Sequence, residues 1–489
     1  MEESGKSVTK NVAILFIRQI FTWASTFVLL LFLPRYLGPE NYGKYYLAQS
    51  LTMIFSVLID FGGHYWITKE VSRDRERVGQ IIVDALALRG MMWILSFIGI
   101  NLYALMVGYD SETRMVVMIF GLGMIWSAGT GVISSCYQGF ELLRYPAYSS
   151  VATSAFISIV GVIALIAGIG PIGFTVITVL GGLLSFGICA LFINKMTTHL
   201  PRVNWKNSFS QLKHGIPYFL NTVFGTIYYR VDAIMLSLLT PKIVMGWYGA
   251  SYRFFDALMF VPSILSMAVF PAMSRLWGEE NSVVKSFQKS IDFLFLIGVP
   301  ISIGMFTFSK EIIEIFYGLS AYEPSVLLLK IFSCGMLIVY IDIMLGTTLL
   351  ATDNQFRVSM ISLAAIFINV GLNYFLIPVT QNAFGNGSIG SALATLITEL
   401  FVMILMLKLL PKSILENSSI KVQLKILASG LIMAGFLWLF NRIGIYWIIQ
   451  IILSSGVYLG TIILLKVIDE KDIQLLKAII PAKFFTPKQ

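Results

Sequence analysis

The chain has 489 residues, of which 57% are hydrophobic and 12% charged, with a formal net charge of +9 and a mean hydropathy of +0.81. Soluble globular domains average roughly 25% charged and 45–50% apolar residues, so this composition excludes an ordinary water-soluble domain and points to a polytopic membrane protein. The excess of Lys and Arg lies between apolar runs rather than in one patch, which makes it a topology signal and not a nucleic-acid footprint.

In chain order, fourteen apolar runs fall at roughly 12–33, 45–61, 84–107, 115–138, 147–168, 172–194, 215–238, 247–270, 291–309, 325–350, 358–378, 390–410, 424–441 and 446–465. A helix needs about 20 residues to cross about 30 Å of hydrocarbon, and runs such as AILFIRQIFTWASTFVLLLFL (13–33) and SAFISIVGVIALIAGIG (154–170) approach or reach that length. Their continuous apolar character disfavours a transmembrane β-barrel, whose strands alternate and are about 10 residues long. The expected fold class is all-α integral membrane with about 14 transmembrane helices. No A-x-A-like cleavage site follows the first run, so it is expected to remain as the first span.

With both termini on one side, that side receives 24 of the Lys and Arg residues, including Lys69, Arg73, Arg75, Arg77, Arg144 and Lys195. The other side receives six: Arg35, Lys44, Arg114, Lys242, Lys310 and Arg442. By the positive-inside rule both termini are expected in the cytoplasm.

Internal repetition organises the runs. YGKYYLA (42–48) matches YGASYRF (248–254), QGFELLR (138–144) matches ATDNQFR (351–357), PIG (171–173) matches SIG (388–390) and THLPR (198–202) matches KLLPK (408–412). The order and the near-constant offset predict two parallel six-helix lobes around a central cavity, the parallel-repeat arrangement of transporters. The expected division is an N-lobe over 1–194, a basic cytoplasmic linker over 195–214, a C-lobe over 215–412, and two further helices with a cytoplasmic tail over 413–489.

Charges inside apolar runs are costly and usually face a bundle interior or water. Those embedded here are Arg18, Arg89, Arg230, Asp232, Arg253, Asp256, Lys330, Asp342 and Glu399. Arg230 and Asp232 lie two apart in TIYYRVDAIMLSLL (226–239), on opposite sides of a regular helix, so they are not expected to pair. Asp232 shares a stripe with Asn221, Gly225 and Tyr228, whereas Arg230 points the other way, near Thr222 and Thr226. Guanidinium matches phosphate oxygens bidentately and stays charged, so Arg230 and, on the first helix beside Thr22, Arg18 are candidate phosphate ligands.

Arg253 and Asp256 are three apart, and two readings stay open: a local ion pair or cavity lining. Asn369 and Asn373, at i and i+4, line the cavity or bond across helices. The candidate cavity set is thus Arg18, Thr22, Asn221, Tyr228, Arg230, Asp232, Arg253, Asp256, Asn369 and Asn373. Asp232, Asp342 and Glu399 are candidates for ion coupling, with Asp256 as a further carboxylate.

Arg89 and Lys330 sit close enough to span ends to snorkel, Asp60 and Glu70 read as capping or interfacial residues, and Trp247, Tyr248, Tyr446 and Trp447 read as interface anchors. Cys136, Cys189 and Cys334 are widely spaced, and His64, His199 and His214 show no metal-binding spacing, so neither a disulfide framework nor a metal site is expected.

The loop LPRYLGPENYGKYYLAQSL (33–51), the DFG and KEVSRDRER segments (60–62, 69–77), TIYYRVDAIML (226–236), GWYGASYRF (246–254) and INVGLNYFLIP (368–378) together resemble the polysaccharide transporter family. That family is the O-antigen-flippase-like branch of the multidrug/oligosaccharidyl-lipid/polysaccharide superfamily. The resemblance implies fourteen helices, two lobes around a V-shaped cavity, and alternating-access movement of a polyprenyl- or dolichyl-linked oligosaccharide from the cytoplasmic to the outer leaflet of the cell membrane. It also implies membrane lipid and other polysaccharide-assembly membrane proteins as partners, no cofactor and no nucleic acid.

Two alternatives remain. A cation-coupled multidrug antiporter of the same superfamily resembles its relatives in an acidic site on the first helix, where this chain has Arg18 and no carboxylate. A membrane enzyme acting on lipid-linked sugars is expected to carry a sizeable loop with clustered acid-base residues, whereas the loops here are short and basic, without G-x-S-x-G, H-E-x-x-H or Walker patterns.

Overall fold

The computed structural model describes residues 2–276, 280–410 and 420–467. Every long element among them is a helix, and thirteen helical runs are long and apolar enough to cross a membrane. The chain is an all-helical, multi-pass membrane protein.

The fourteen predicted runs map onto these thirteen because the first two are merged in α1 (Glu2–Asp60). At about 1.5 Å per residue an unbroken helix of that length would far exceed the bilayer. The backbone breaks at Gly38 (φ 72°, ψ 165°), immediately before Pro39. That positive φ is open to glycine at no steric cost, and the two predicted spans are the segments on either side of it.

Next comes α2 (Gly63–Arg73), which follows a turn through Phe61 (φ 45°) and Gly62 (φ 70°). It is amphipathic rather than spanning: Ile67 and Val71 are buried in a cluster with Val78, Ile82, Val132 and Cys136. The spans α3 (Val78–Met106), α4 (Ser111–Gly139), α5 (Arg144–Ile166) and α6 (Pro171–Leu191) follow. The first turn of α4 is fixed by Asp110, whose carboxylate accepts from the Thr113 amide at 3.0 Å, a regular N-cap.

After α7 (Trp205–Leu239), the run predicted over 247–270 is divided into α8 (Lys242–Leu258) and α9 (Phe260–Arg275). Pro262 lies in the first turn of α9, the place where a missing N–H is tolerated. The remaining elements are α10 (Glu280–Thr307), the short α11 (Ser309–Phe316) and α12 (Leu319–Tyr322), then α13 (Pro324–Ala351), α14 (Gln355–Phe384), α15 (Ser388–Leu409), α16 (Lys421–Ile443) and α17 (Trp447–Leu464). Gly444 (φ 79°) ends α16 in a left-handed cap.

The described residues group into two compact units. One takes the chain up to Ala257 with Ile313–Leu328 and Ser359–Thr398; the other takes Leu258–Ile312, Leu329–Val358 and the described residues from Glu399 onward. In the first, α1 packs against α3, α4, α5 and α7, and α4 packs on α6. In the second, α10, α16 and α17 enclose Val299, Phe308, Ile426, Met433 and Ile462, and the Tyr458 hydroxyl donates to the Leu296 carbonyl at 2.9 Å.

Arg89 does not snorkel: it is 3% exposed and forms an ion pair with Asp60. Asp60 is therefore neither a cap nor a free interfacial charge. Both predicted readings missed a pairing between the last residue of α1 and the body of α3, 29 residues apart. Arg89→Ala would remove the cation partner of Asp60, whose side chain is 39% exposed, so solvent screening holds the expected cost to about 1 kcal/mol. The expected result is a lower apparent melting temperature in detergent, with Arg89→Lys partly restoring it.

Candidate functional site

The two repeat-matched YG segments meet in the first unit. Tyr42 and Gly43 on α1 face Gly246 and Gly249 on α8, and the two helices meet almost backbone to backbone. A Cβ added at Gly43 would overlap the Lys242 carbonyl oxygen, and one at Gly246 would overlap that of Pro39. A Cβ at Gly249 would lie 2.8 Å from the Tyr46 ring. The Tyr42 hydroxyl donates to the Gly249 carbonyl at 3.4 Å. The repeat-matched segments thus pack directly on each other.

This approach is ringed by polar contacts. Lys44 on α1 pairs with Glu112 at 2.5 Å and Glu40 at 3.5 Å. Lys242 pairs with Asp110 and donates to Thr113 Oγ1 at 2.8 Å. Tyr109 and Ser237 share a hydrogen bond of 2.7 Å, and burial pushes the Tyr109 phenol up, so it stays protonated. The Tyr322 hydroxyl donates to the Pro34 carbonyl at 2.7 Å and Trp247 Nε1 to that of Ala321 at 2.9 Å. Tyr248 is packed inside the protein and is not an interface anchor, whereas Trp247 is half-buried and Tyr446 is 61% exposed.

Next to the YG contact lies a cationic, tyrosine-rich cluster. Arg230 on α7 is 9% exposed, donates from Nη1 to Tyr46 Oη at 3.3 Å, and stands 4.6 Å from the Tyr229 ring centroid and 5.9 Å from that of Tyr46. Its Nε has no hydrogen-bond partner. Arg253 Nη1 donates to Tyr42 Oη at 3.5 Å, and the Tyr229 hydroxyl donates to Asp256. The rings of Tyr229, Tyr252, Tyr248 and Tyr46 follow one another with centroids 5.4–6.4 Å apart.

Among the described residues, neither Arg230 nor Arg253 makes an ion pair. The local Arg253–Asp256 ion pair is not formed: Arg253 and Asp256 each bond to a phenol instead. One buried guanidinium, Arg230, and one half-buried, Arg253, are thus held by tyrosine hydroxyls and rings, with Asp256 close by on the Tyr229 hydroxyl, and a guanidinium keeps its charge and its donors for an anion.

Asp232 occupies a separate niche, as its helical position requires. It is 5% exposed and accepts from Tyr248 Oη at 3.0 Å, Asn373 Nδ2 at 2.9 Å and Thr395 Oγ1 at 2.6 Å. Asn373 Nδ2 also donates to Asn369 Oδ1 at 2.7 Å, while Asn373 Oδ1 is buried with no hydrogen-bond partner. Asn369 and Asn373 thus bond around a buried carboxylate carried by another helix.

The other sequence candidates are not all brought to this place. No hydrogen bond, ion pair or ring contact among the described residues joins Arg18 or Thr22 to the tyrosine cluster; Thr22 donates to the Arg18 carbonyl at 3.0 Å, and Arg18 Nε is buried without a hydrogen-bond partner. Tyr228 is half-buried on α7, and the Asn221 side chain lies outside the described residues. Asp342 and Glu399 belong to the second unit, where their carboxyls face each other across α13 and α15; neither oxygen of Asp342 receives a hydrogen bond from an amide or hydroxyl.

Tyr42, Tyr46, Tyr229, Tyr252 and Thr395 were not singled out from sequence. The repeated YG segments carry three of them, and that repetition was the available signal. Nothing local marks Thr395 as a partner of Asp232, 163 residues away.

The family model described as polysaccharide biosynthesis protein matches residues 8–277, and that described as lipid II flippase MurJ matches residues 247–458. A probable low-salt glycan biosynthesis flippase of Haloferax volcanii is 23% identical over 467 residues, covering 92% of this chain and 93% of its own. A putative O-antigen transporter of Escherichia coli is 22% identical over 424 residues, covering 83% and 97%. Among solved structures, the lipid II flippase MurJ in an inward closed conformation aligns with a TM-score of 0.74 at 17% identity, covering 93% of this chain and 98% of that one. An inward-facing multidrug resistance MATE family transporter of the MOP superfamily aligns at 0.65 and 12% identity, covering 84% and 100%. The fold is shared with both.

Proposed function

This chain belongs to the polysaccharide biosynthesis protein family, and from that premise we propose that it is a flippase that moves a lipid-linked oligosaccharide across a membrane for polysaccharide or surface-glycan biosynthesis. The relatives named as a glycan biosynthesis flippase and an O-antigen transporter align over most of their own length, which supports the reading. The observation that carries it is the pair of arginines, Arg230 buried and Arg253 half-buried, hydrogen-bonded to tyrosines and, among the described residues, in no ion pair. A sugar-bearing lipid phosphate or diphosphate cannot cross hydrocarbon with its charge unscreened. Guanidinium groups supply bidentate donors to it, and tyrosine rings offer flat apolar faces with polar edges to a sugar.

On this reading both termini are cytoplasmic, the membrane is the cell membrane, and the two six-helix lobes rock about the cavity. Arg18, Thr22, Asn221 and Tyr228 extend the cavity beyond the tyrosine cluster, and other polysaccharide-assembly proteins are partners. Asp232, with carbonyl and hydroxyl oxygens of Asn369, Asn373 and Thr395, is the station for a coupling cation of the hard, oxygen-seeking kind; the orphaned Asn373 Oδ1 fits such a ligand. The Asp342 and Glu399 pair is the alternative station, for a proton.

The test is leaflet transfer of a labelled polyprenyl-diphosphate oligosaccharide in proteoliposomes. Loss of one charged hydrogen-bonding group at about 1.5–3 kcal/mol predicts a fall of about 10- to 100-fold for Arg230→Ala at equal folded amount, with Arg230→Lys between. Transfer unchanged in Arg230→Ala would make Arg230 structural. No transfer by the wild type under an imposed ion gradient, with drug efflux in its place, would favour the multidrug antiporter.

A further inference from the structure

Within the first unit, the seam between α1 and α7 changes character along its length. At one place it carries the Arg230 guanidinium against Tyr46. Beside that, Ile54, Phe55 and Leu58 of α1 and Val223, Thr226 and Ile227 of α7 line a crevice of about 110 Å³. Val223, Thr226, Ile227 and Arg230 are spaced three and four apart, so they share one face of α7. Tyr46 and Ile54 are eight apart, which places them on one face of α1 as well. Cation and crevice are therefore neighbours along the same seam, about one helical turn apart on α7 and about two turns, roughly 12 Å, apart on α1.

We propose that this crevice is a subsite for the isoprenoid chain of the transported lipid, holding the unit nearest the phosphate while Arg230 holds the phosphate. The proposal rests on the flippase reading above. Three observations choose this occupant. The lining is apolar except for Thr226, so water gains little there. An apolar cavity of about 150 Å³ accommodates a benzene-sized molecule, so a cavity of about 110 Å³ has room for roughly one isoprene unit and not for two chains side by side. In a polyprenyl phosphate a single chain joins the phosphate directly, which matches a crevice one to two turns from a guanidinium. A glycerophospholipid places a glycerol and two acyl chains there instead. Leu58, 41% exposed, leaves the crevice open for the rest of the chain to continue into lipid.

The subsite predicts that chain and head contribute separately to binding. Purified protein in nanodiscs of phosphatidylglycerol and phosphatidylethanolamine is titrated with two probes: a geranyl diphosphate N-acetylhexosamine, and the same sugar diphosphate closed with a methyl ester. Thr226→Trp, which fills the crevice, is expected to weaken the geranyl probe about tenfold and leave the methyl ester probe unchanged. Arg230→Ala is expected to weaken both. Equal weakening of both probes by Thr226→Trp, or of neither, overturns the subsite.

A photoreactive residue at Ile227 supplies a second readout that does not depend on a filled crevice. It is expected to capture a radiolabelled polyprenyl diphosphate sugar several-fold more than the same residue at the lipid-facing Leu464. Capture erased by a tenfold excess of phosphatidylglycerol would assign the crevice to bulk lipid and overturn the proposal. If the wild type binds neither probe, the flippase reading fails along with it; binding of the methyl ester probe with no gain from the geranyl chain overturns the subsite alone.

Discussion

Gly246→Leu is expected to abolish leaflet transfer, by at least about 100-fold, while the protein still inserts into the membrane. The reason is local and steric. At Gly246 even a bare Cβ overlaps the carbonyl oxygen of Pro39, and across the same contact a Cβ at Gly43 overlaps the carbonyl oxygen of Lys242. Overpacking against a side chain costs about 1–3 kcal/mol because the side chain finds another rotamer; a backbone carbonyl has no such freedom. The helices α1 and α8 must therefore separate. Separation pulls Lys242 away from Asp110 and Thr113, and Tyr42 from the Gly249 carbonyl. In an alternating-access cycle, a contact that cannot close removes one of the two states, and net transfer stops even when the substrate still binds. Gly246→Ala is expected to be nearly as harmful. Gly435→Leu, at a glycine with open space around it, is expected to transfer normally and serves as the control. The measurement is transfer in proteoliposomes beside binding of the same lipid probe. Gly246→Leu transferring at the wild-type rate would mean that the close approach of α1 and α8 is dispensable to the cycle.

Much of the fold was legible because the bilayer leaves the chain few choices. A run of about 20 apolar residues must hydrogen-bond its own backbone, and only a helix does so within one segment. All fourteen predicted runs are therefore found as helix. What periodicity did not reveal was where helices break, since that depends on single backbone positions: Gly38 leaves helical φ/ψ and kinks the chain between the first two spans, and a new helix with Pro262 in its first turn begins inside one apolar run. Within the site, helical geometry alone separated Arg230 from Asp232, and the structure places them in different niches. The partners were not legible. Tyr46 is 184 residues from Arg230, and Asn373 and Thr395 are 141 and 163 from Asp232. Tyr248 illustrates the same limit, since a tyrosine beside a tryptophan near a span end reads as an interface anchor until tertiary packing turns it inward. Beside the embedded charges, the repeated YG segments marked this place in the sequence, and their role lies in the lack of a side chain at their glycines, which composition does not register.

Asp232 gives the other large effect. In Asp232→Ala, the carboxylate that serves Tyr248, Thr395 and Asn373 together is lost; a buried donor set that loses its acceptor costs about 1–3 kcal/mol. The expected result is a destabilised protein with transfer reduced at least about 100-fold. Asp232→Asn separates structure from charge. Its side-chain carbonyl still accepts hydrogen bonds, so most of the stability is expected to return, but it is neutral and does not balance a cation. If Asp232 with Asn369, Asn373 and Thr395 holds the coupling cation, Asp232→Asn transfers at a low rate that no longer responds to a sodium gradient. The same measurement on Glu399→Gln distinguishes the second station. Loss of the response to a proton gradient in Glu399→Gln, with Asp232→Asn still responding to it, would move coupling to the Asp342 and Glu399 pair. Asp232 would then be left as a structural acceptor between helices. A cation raises the melting temperature of whichever protein holds it, so sodium-dependent stabilisation lost in Asp232→Asn and kept in Glu399→Gln is the independent sign that α7 carries the ion.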